Sequence, residues 1–145
     1  MDEPGLLSER HPLSGRSAVV EDDGRSAWLY LTRAGTQDLA ADCWIYNRLP
    51  AAEEVERAAG RGGPPPAVRS VAGERARIED PRWSAMRLVW SADGESVAFV
   101  YQDDPLAFIA RGEKAGYSRN VVRTSPWGRL WDPARFDALF RRPAP

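Results

Sequence analysis

Residues 86–110 read MRLVWSADGESVAFVYQDDPLAFIA, and this stretch decides the fold. Three apolar runs, Met86–Trp90, Glu95–Tyr101 and Leu106–Ala110, are rich in aromatic and β-branched residues and separated by turn chemistry, so they read as strands. Asp93-Gly94 makes the first turn; Asp103-Asp104, just before Pro105, makes the second. Two-residue loops then set the register. Trp90 faces Val97, Leu88 faces Phe99 and Met86 faces Tyr101. On the far side Phe99 faces Phe108 and Tyr101 faces Leu106. One face therefore carries Met86, Leu88, Trp90, Val97, Phe99, Tyr101, Leu106 and Phe108. Burying it stabilises the fold by roughly 1.5–3 kcal/mol for each large side chain.

Upstream, Ser17–Glu21, Ser26–Thr32 and Leu39–Asn47 repeat the signal around Asp22-Asp23-Gly24 and Gly35-Thr36-Gln37, giving a three-stranded meander. If Trp28 pairs with Trp44, Asp42 opposes Tyr30. Trp28, Tyr30, Trp44 and Tyr46 then share one strand parity, while Ala27, Leu29, Leu31, Cys43 and Ile45 share the other. The aliphatic side packs as core. The aromatic side, with its polar handles, is to be covered by the tail helix, a second protomer, a ligand, or a second core layer. Asp23-Gly24-Arg25-Ser26 echoes Asp93-Gly94-Glu95-Ser96 at an offset of 70 residues, a similarity that turn chemistry alone can produce.

The remaining segments have their own character. Residues 1–16, broken by Pro4, Gly5, Pro12 and Gly15, read as a flexible leader ahead of one β-rich domain over 17–145. A Pro/Gly-rich excursion occupies 50–82: a short helix over Ala51–Ala59, then an extended connector at Arg61–Pro66. In the tail, Asp132 and Pro133 are good N-cap and first-turn residues. Phe136, Leu139 and Phe140 share a helical face, and Asp137 is spaced to pair with Arg141. The fold class is mainly β, a two-layer antiparallel meander or sandwich with a C-terminal helix.

Composition bounds the function. A chain of 145 residues with a net charge of −1 has no overall basic field to attract nucleic acid or an anionic membrane. No apolar run approaches the length of a membrane span, and Met1–Arg10 lacks the layout of a signal peptide, so a cytoplasmic location is expected. Cys43 is the single cysteine, which excludes an internal disulfide and a cysteine-based metal site. His11 is the single histidine and sits next to Pro12 in the leader. No nucleotide-binding or histidine-rich motif appears, so neither cofactor nor metal is expected. The acidic turns Glu21-Asp22-Asp23 and Gln102-Asp103-Asp104 could hold a hard cation or work as acid and base, but aspartate favours turns for its own hydrogen-bonding reasons. Asp42, a carboxylate within an aromatic face, calls for a partner.

A second aromatic cluster spans Gly116–Trp131, with Tyr117, Arg119, Arg123, Trp127 and Arg129 set among Pro126 and Gly128. It reads as a rigid loop wall able to stack on a peptide and pair with its carboxylates, or as a plug at the end of the sandwich. HPLSGRSAVVEDDGRSAWLYLT at 11–32, DCWIYNR at 42–48, WSADGESVAF at 90–99, GYSRN at 116–120 and SPWGRLWD at 125–132 together resemble the peptide-binding accessory proteins of crocagin-type ribosomal peptide biosynthesis and their bacterial relatives.

The resemblance implies a non-catalytic protein that holds a precursor peptide, or its maturing core, beside the modifying enzymes. The expected binding set is Trp28, Tyr30, Asp42, Trp44, Tyr46, Tyr117, Arg119, Arg123, Trp127 and Arg129. Two rivals stand beside it: a small cyclase using an aspartate base such as Asp42, and a structural homodimer with no peptide ligand.

Overall fold

The computed structural model describes residues 5–51 and 65–141. Most of the helix expected over Ala51–Ala59, and the connector up to position 64, lie outside the described residues. One sheet holds β1 (Gly5–Arg10), β2 (Ser17–Asp22), β3 (Ser26–Thr32) and β4 (Leu39–Asn47), antiparallel and in that order. The other holds β5 (Met86–Trp90), β6 (Val97–Tyr101), β7 (Asp104–Ile109), β8 (Tyr117–Ser118) and β9 (Arg129–Leu130), antiparallel except for the parallel β8–β9 pair. Helix α1 (Pro133–Phe140) follows. The chain is thus mainly β, as its alternating aromatic runs predict.

Leu29, Leu31, Cys43 and Ile45 meet Val97, Phe99, Leu106 and Ile109 between the sheets, and this is the principal core. Each sheet also buries its outer face. Against the second sheet, Phe136, Leu139 and Phe140 of α1 pack around Phe108 and Ala98. The helix begins as its sequence dictates: the Asp132 carboxylate accepts from the Arg135 amide, Pro133 occupies the first turn, and Asp137 meets Arg141 at 2.9 Å. Against the first sheet, Val68, Val71, Val121 and Trp127 close over Trp28 and Trp44.

Three expectations need correction. Gly5–Arg10 is not part of a flexible leader; it pairs along the whole of β2, from Gly5 opposite Asp22 to Arg10 opposite Ser17, and Leu7 packs on the core. The second turn is at Gln102-Asp103, both with positive φ, so Tyr101 faces Asp104 rather than Leu106. A bulge then leaves Leu106 unpaired between Pro105 and Ala107. Phe108 consequently opposes Ala98 and turns toward α1, away from Phe99.

The strand edges differ in what meets them. The outer edge of β4 is occupied: the Asp42 amide donates to Lys114 O at 3.2 Å, Gly116 donates to Asp42 O at 2.9 Å, and Trp44 donates to Trp127 O at 2.8 Å. Asn47 continues the seam, donating to Ala76 O and accepting from Ile78, both at 2.8 Å. One flank of the sandwich is thereby stitched shut. β1 and β5 border the other flank, each with a single strand neighbour.

Candidate functional site

The expected aromatic face does not form a solvated groove. Trp28 and Trp44 oppose each other as predicted, and Tyr30 opposes Asp42. Trp44, however, is completely buried and Trp28 nearly so. The Trp44 indole donates to Asn47 Oδ1 at 2.9 Å; Asn47 in turn clamps Ala67, accepting from its amide at 3.0 Å and donating to its carbonyl at 2.9 Å. Trp127 donates its indole N–H to Pro65 O at 3.1 Å. Residues 65–76 therefore form a lid over the pair, and the aromatic face is a second core layer. The Trp28 indole N–H has no partner among the described residues.

Tyr46 leaves the set altogether. Ala27 opposes Tyr46 and Trp28 opposes Trp44, so Ile45 is an unpaired bulge residue and parity inverts beyond it. Tyr46 points into the inter-sheet core, where its hydroxyl donates to Asp22 at 2.6 Å.

Tyr30 and Asp42 stay together at the lid's margin, the phenol half-buried and the carboxylate exposed. Burial raises the Tyr30 pKa, with Glu21, Asp42 and Asp23 adding to it. Partial desolvation raises that of Asp42. A raised carboxyl is one property of a general base, but no hydrogen bond among the described residues orients Asp42 for proton transfer. Burial likewise holds the Cys43 thiol protonated, next to the charge of Asp42.

The loop-wall residues do not form one wall: Tyr117 packs on the α1 side of the second sheet, Trp127 under the lid of the first, and each of the set has an internal partner. Arg129 and the Tyr117 hydroxyl both donate to Glu113 Oε1, at 3.2 and 3.0 Å, and the Arg129 guanidinium lies 5.6 Å from the Tyr117 ring. Arg119 meets Asp104 at 3.0 Å and sits 5.4 Å from the Trp131 ring. Arg123 donates to Ser70 O and Oγ at 3.2 and 3.1 Å. Glu113 is the residue the sequence reading missed; no local pattern marks an acid that will receive an arginine 16 positions downstream.

The open backbone lies elsewhere. Ladder bonds of β5 to β6 are bracketed by Gln102 N to Ala85 O at 3.0 Å and Ser91 N to Ser96 O at 2.9 Å. Antiparallel alternation between these pairs turns the N–H and C=O of Leu88 and Trp90 away from β6. A groove of ≈ 850 Å³ runs beside this edge, with Leu88–Ala92 as one wall, Ala138–Arg141 of the α1 end as the other, and His11 at its mouth. Trp90 is fixed across the open flank: its indole donates to Glu9 at 2.8 Å, and its ring lies 5.3 Å from that of His11. Leu88 and Trp90, expected on the buried face, are only partly buried against the core. A first strand that follows an irregular excursion is a natural edge, and that was the signal available.

Among the described residues no helix is long and apolar enough to cross a membrane, and no cluster of three or more His, Cys, Asp or Glu could hold a metal ion. Compared with protein-family models, with curated proteins and with solved structures, the chain finds no match.

Proposed function

We propose that this is a non-catalytic, cytoplasmic peptide-binding protein that holds an extended segment of a ribosomal precursor peptide as an added strand on β5. The supporting observation is the edge itself: outward-facing backbone groups at Leu88 and Trp90 beside a groove whose far wall is α1. Strand addition draws affinity from main-chain hydrogen bonds and selectivity from alternate side chains. Here one side-chain parity of the guest enters the groove against Leu139 and Phe140, and the other lies over Trp90 and His11. The sequence resemblance supplies the source of the peptide, and the modifying enzymes are its expected companions.

The test is calorimetry with peptides tiled across the precursor encoded beside this gene. One of them is to bind saturably, and N-methylation of its alternate amides is to abolish binding while leaving the protein untouched. Leu88→Pro, which removes one outward donor, gives the same loss from the protein side. Equal binding of the methylated peptide sinks the reading. So does a stable dimer that buries the β5 edge and binds no peptide, which would favour the structural homodimer.

A further inference from the structure

We propose that the cleft at the opposite end of the β5–β6 hairpin is a second, separate binding site, for an apolar polypeptide segment that carries carboxylates. This cleft of ≈ 750 Å³ lies between residues 73–78 and 119–122 and shares no residue with the β5 groove. Its walls are rigid. Gly73 donates to Asn120 O at 2.7 Å, Val122 donates to Val71 O at 2.8 Å, and the Asn120 side chain ties the second wall to Ile45 O at 2.9 Å.

Ile78, Leu106 and Val122 supply apolar surface, and Val122 is 57% exposed. Around them stand Arg75, Arg77 and Arg119 against Glu74 and Asp104, a surplus of one positive charge in a chain whose net charge is −1. Asp104 is already engaged by Arg119. Arg77 donates its Nε to Arg48 O at 3.2 Å and reaches Glu79 only at 3.6 Å with its outer nitrogens, while Arg75 has no ion pair or hydrogen bond among the described residues. A carboxylate arriving over the apolar floor meets the uncommitted Arg75 guanidinium and the exposed outer end of Arg77, which Arg48 O holds in place. Planar guanidinium groups suit carboxylates, and a carboxylate placed among hydrophobic side chains is what this mixture selects. A polynucleotide is the poorer fit, because Glu74 and Asp104 stand in the walls.

The probe is acetyl-Glu-Leu-Phe-Glu-amide, titrated by calorimetry against the full chain at low and moderate salt. Saturable binding is expected, weakened by salt and at least about tenfold weaker for the Gln-Leu-Phe-Gln peptide and for the Glu-Ala-Ala-Glu peptide. The surface variant Arg75→Gln/Arg77→Gln is expected to lose about tenfold for the Glu peptide. Val122→Asp, equally exposed, repels it. None of these changes touches β5, so precursor binding there remains intact and the two sites succeed or fail separately. Absence of saturable binding, equal affinity for the Glu and Gln peptides, indifference to Arg75→Gln/Arg77→Gln, or a preference for oligonucleotide over peptide each overturns the proposal.

Discussion

Tyr46 and Asp22 form a buried pair at 2.6 Å, the phenol donating and the carboxylate accepting. The same carboxylate accepts from Arg48 Nε at 2.8 Å through Oδ2 and from the Gly24 amide at 2.8 Å through Oδ1. One aspartate thus binds the β2–β3 turn to the end of β4. Its charge is tolerable in the interior because three donors, one of them a guanidinium, surround it. Asp22→Asn removes the buried charge that Arg48 Nε meets and weakens the acceptor shared by Tyr46, and a loss of about 3–5 kcal/mol is expected in chemical denaturation.

Alkaline stability follows from the same pair. Burial and the bond to Asp22 raise the Tyr46 pKa above its ordinary 10.0. The unfolded chain therefore gives up this proton first as pH rises, and folding stability falls above pH 10 by about 1.4 kcal/mol per pH unit for such a group. Cys43, raised from 9.0, starts to contribute about one unit lower. Denaturation midpoints between pH 8 and 11 are expected to decline, and Tyr46→Phe is expected to flatten the upper part of that decline. An unchanged slope in the variant removes Tyr46 from the account.

The Trp28–Trp44 layer gives a prediction that separates core from binding surface. As a lidded layer, Trp44→Ala and Trp127→Ala are each expected to cost about 3–5 kcal/mol, since large cavities open beside Val68 and Val71. Half-buried Tyr30→Phe is expected to change stability by no more than about 0.5 kcal/mol. Trp44→Ala folding with wild-type stability would mean that the lid is not in place.

Strands and their partners were legible from composition: the Met86–Trp90 and Val97–Tyr101 register is as predicted, and so are Trp28 opposite Trp44 and Tyr30 opposite Asp42. What failed was parity beyond a bulge. Ile45 and Leu106 are ordinary strand residues with nothing local to announce an extra position, yet each reverses which face every later side chain meets. Tyr46 and Phe108 change face for that reason, and the displaced turn also moves the partner of Phe108. The lid was missed because its partners lie far away in sequence, so only long-range packing of Val68 and Val71 reveals it; β1 pairs with its neighbour β2 and was missed because Gly5, Pro12 and Gly15 read as breaks. The candidate site inherited both errors, because an aromatic pattern looks the same whether or not a later segment covers it.

The Gln102-Asp103 turn is built from the wrong residues for its geometry. Both have positive φ, 50° and 64°, the mirror-image hairpin turn that Asn-Gly adopts without strain. Gln102→Asn/Asp103→Gly is expected to stabilise the fold by about 1 kcal/mol. The exposed Arg87–Asp103 contact that it removes, 3.5 Å, offsets little of this. A rise in Tm without a change in denaturant slope is the expected reading.

Gly116 is where the two sheets come too close for any side chain. A Cβ there would lie 2.6 Å from Phe108 O, 2.7 Å from Cys43 Cβ and 2.9 Å from Ile109 Cγ1. The nearest two are a ladder carbonyl of β7 and a strand Cβ of β4, neither able to swing aside as a side-chain end could. Gly116→Ala must therefore push β4 and β7 apart, stretching the Gly116–Asp42 and Arg129–Gly116 backbone bonds that close the flank. Overpacking in a fixed core costs about 1–3 kcal/mol, and the upper end is expected here. Adding Cys43→Gly is expected to recover little, because Phe108 O remains in the way. Gly112→Ala is the control: its Cβ meets nothing within 4 Å, so only its positive φ of 77° is penalised, at about 1 kcal/mol. Equal costs at the two glycines would show that the sheets are free to separate at Gly116.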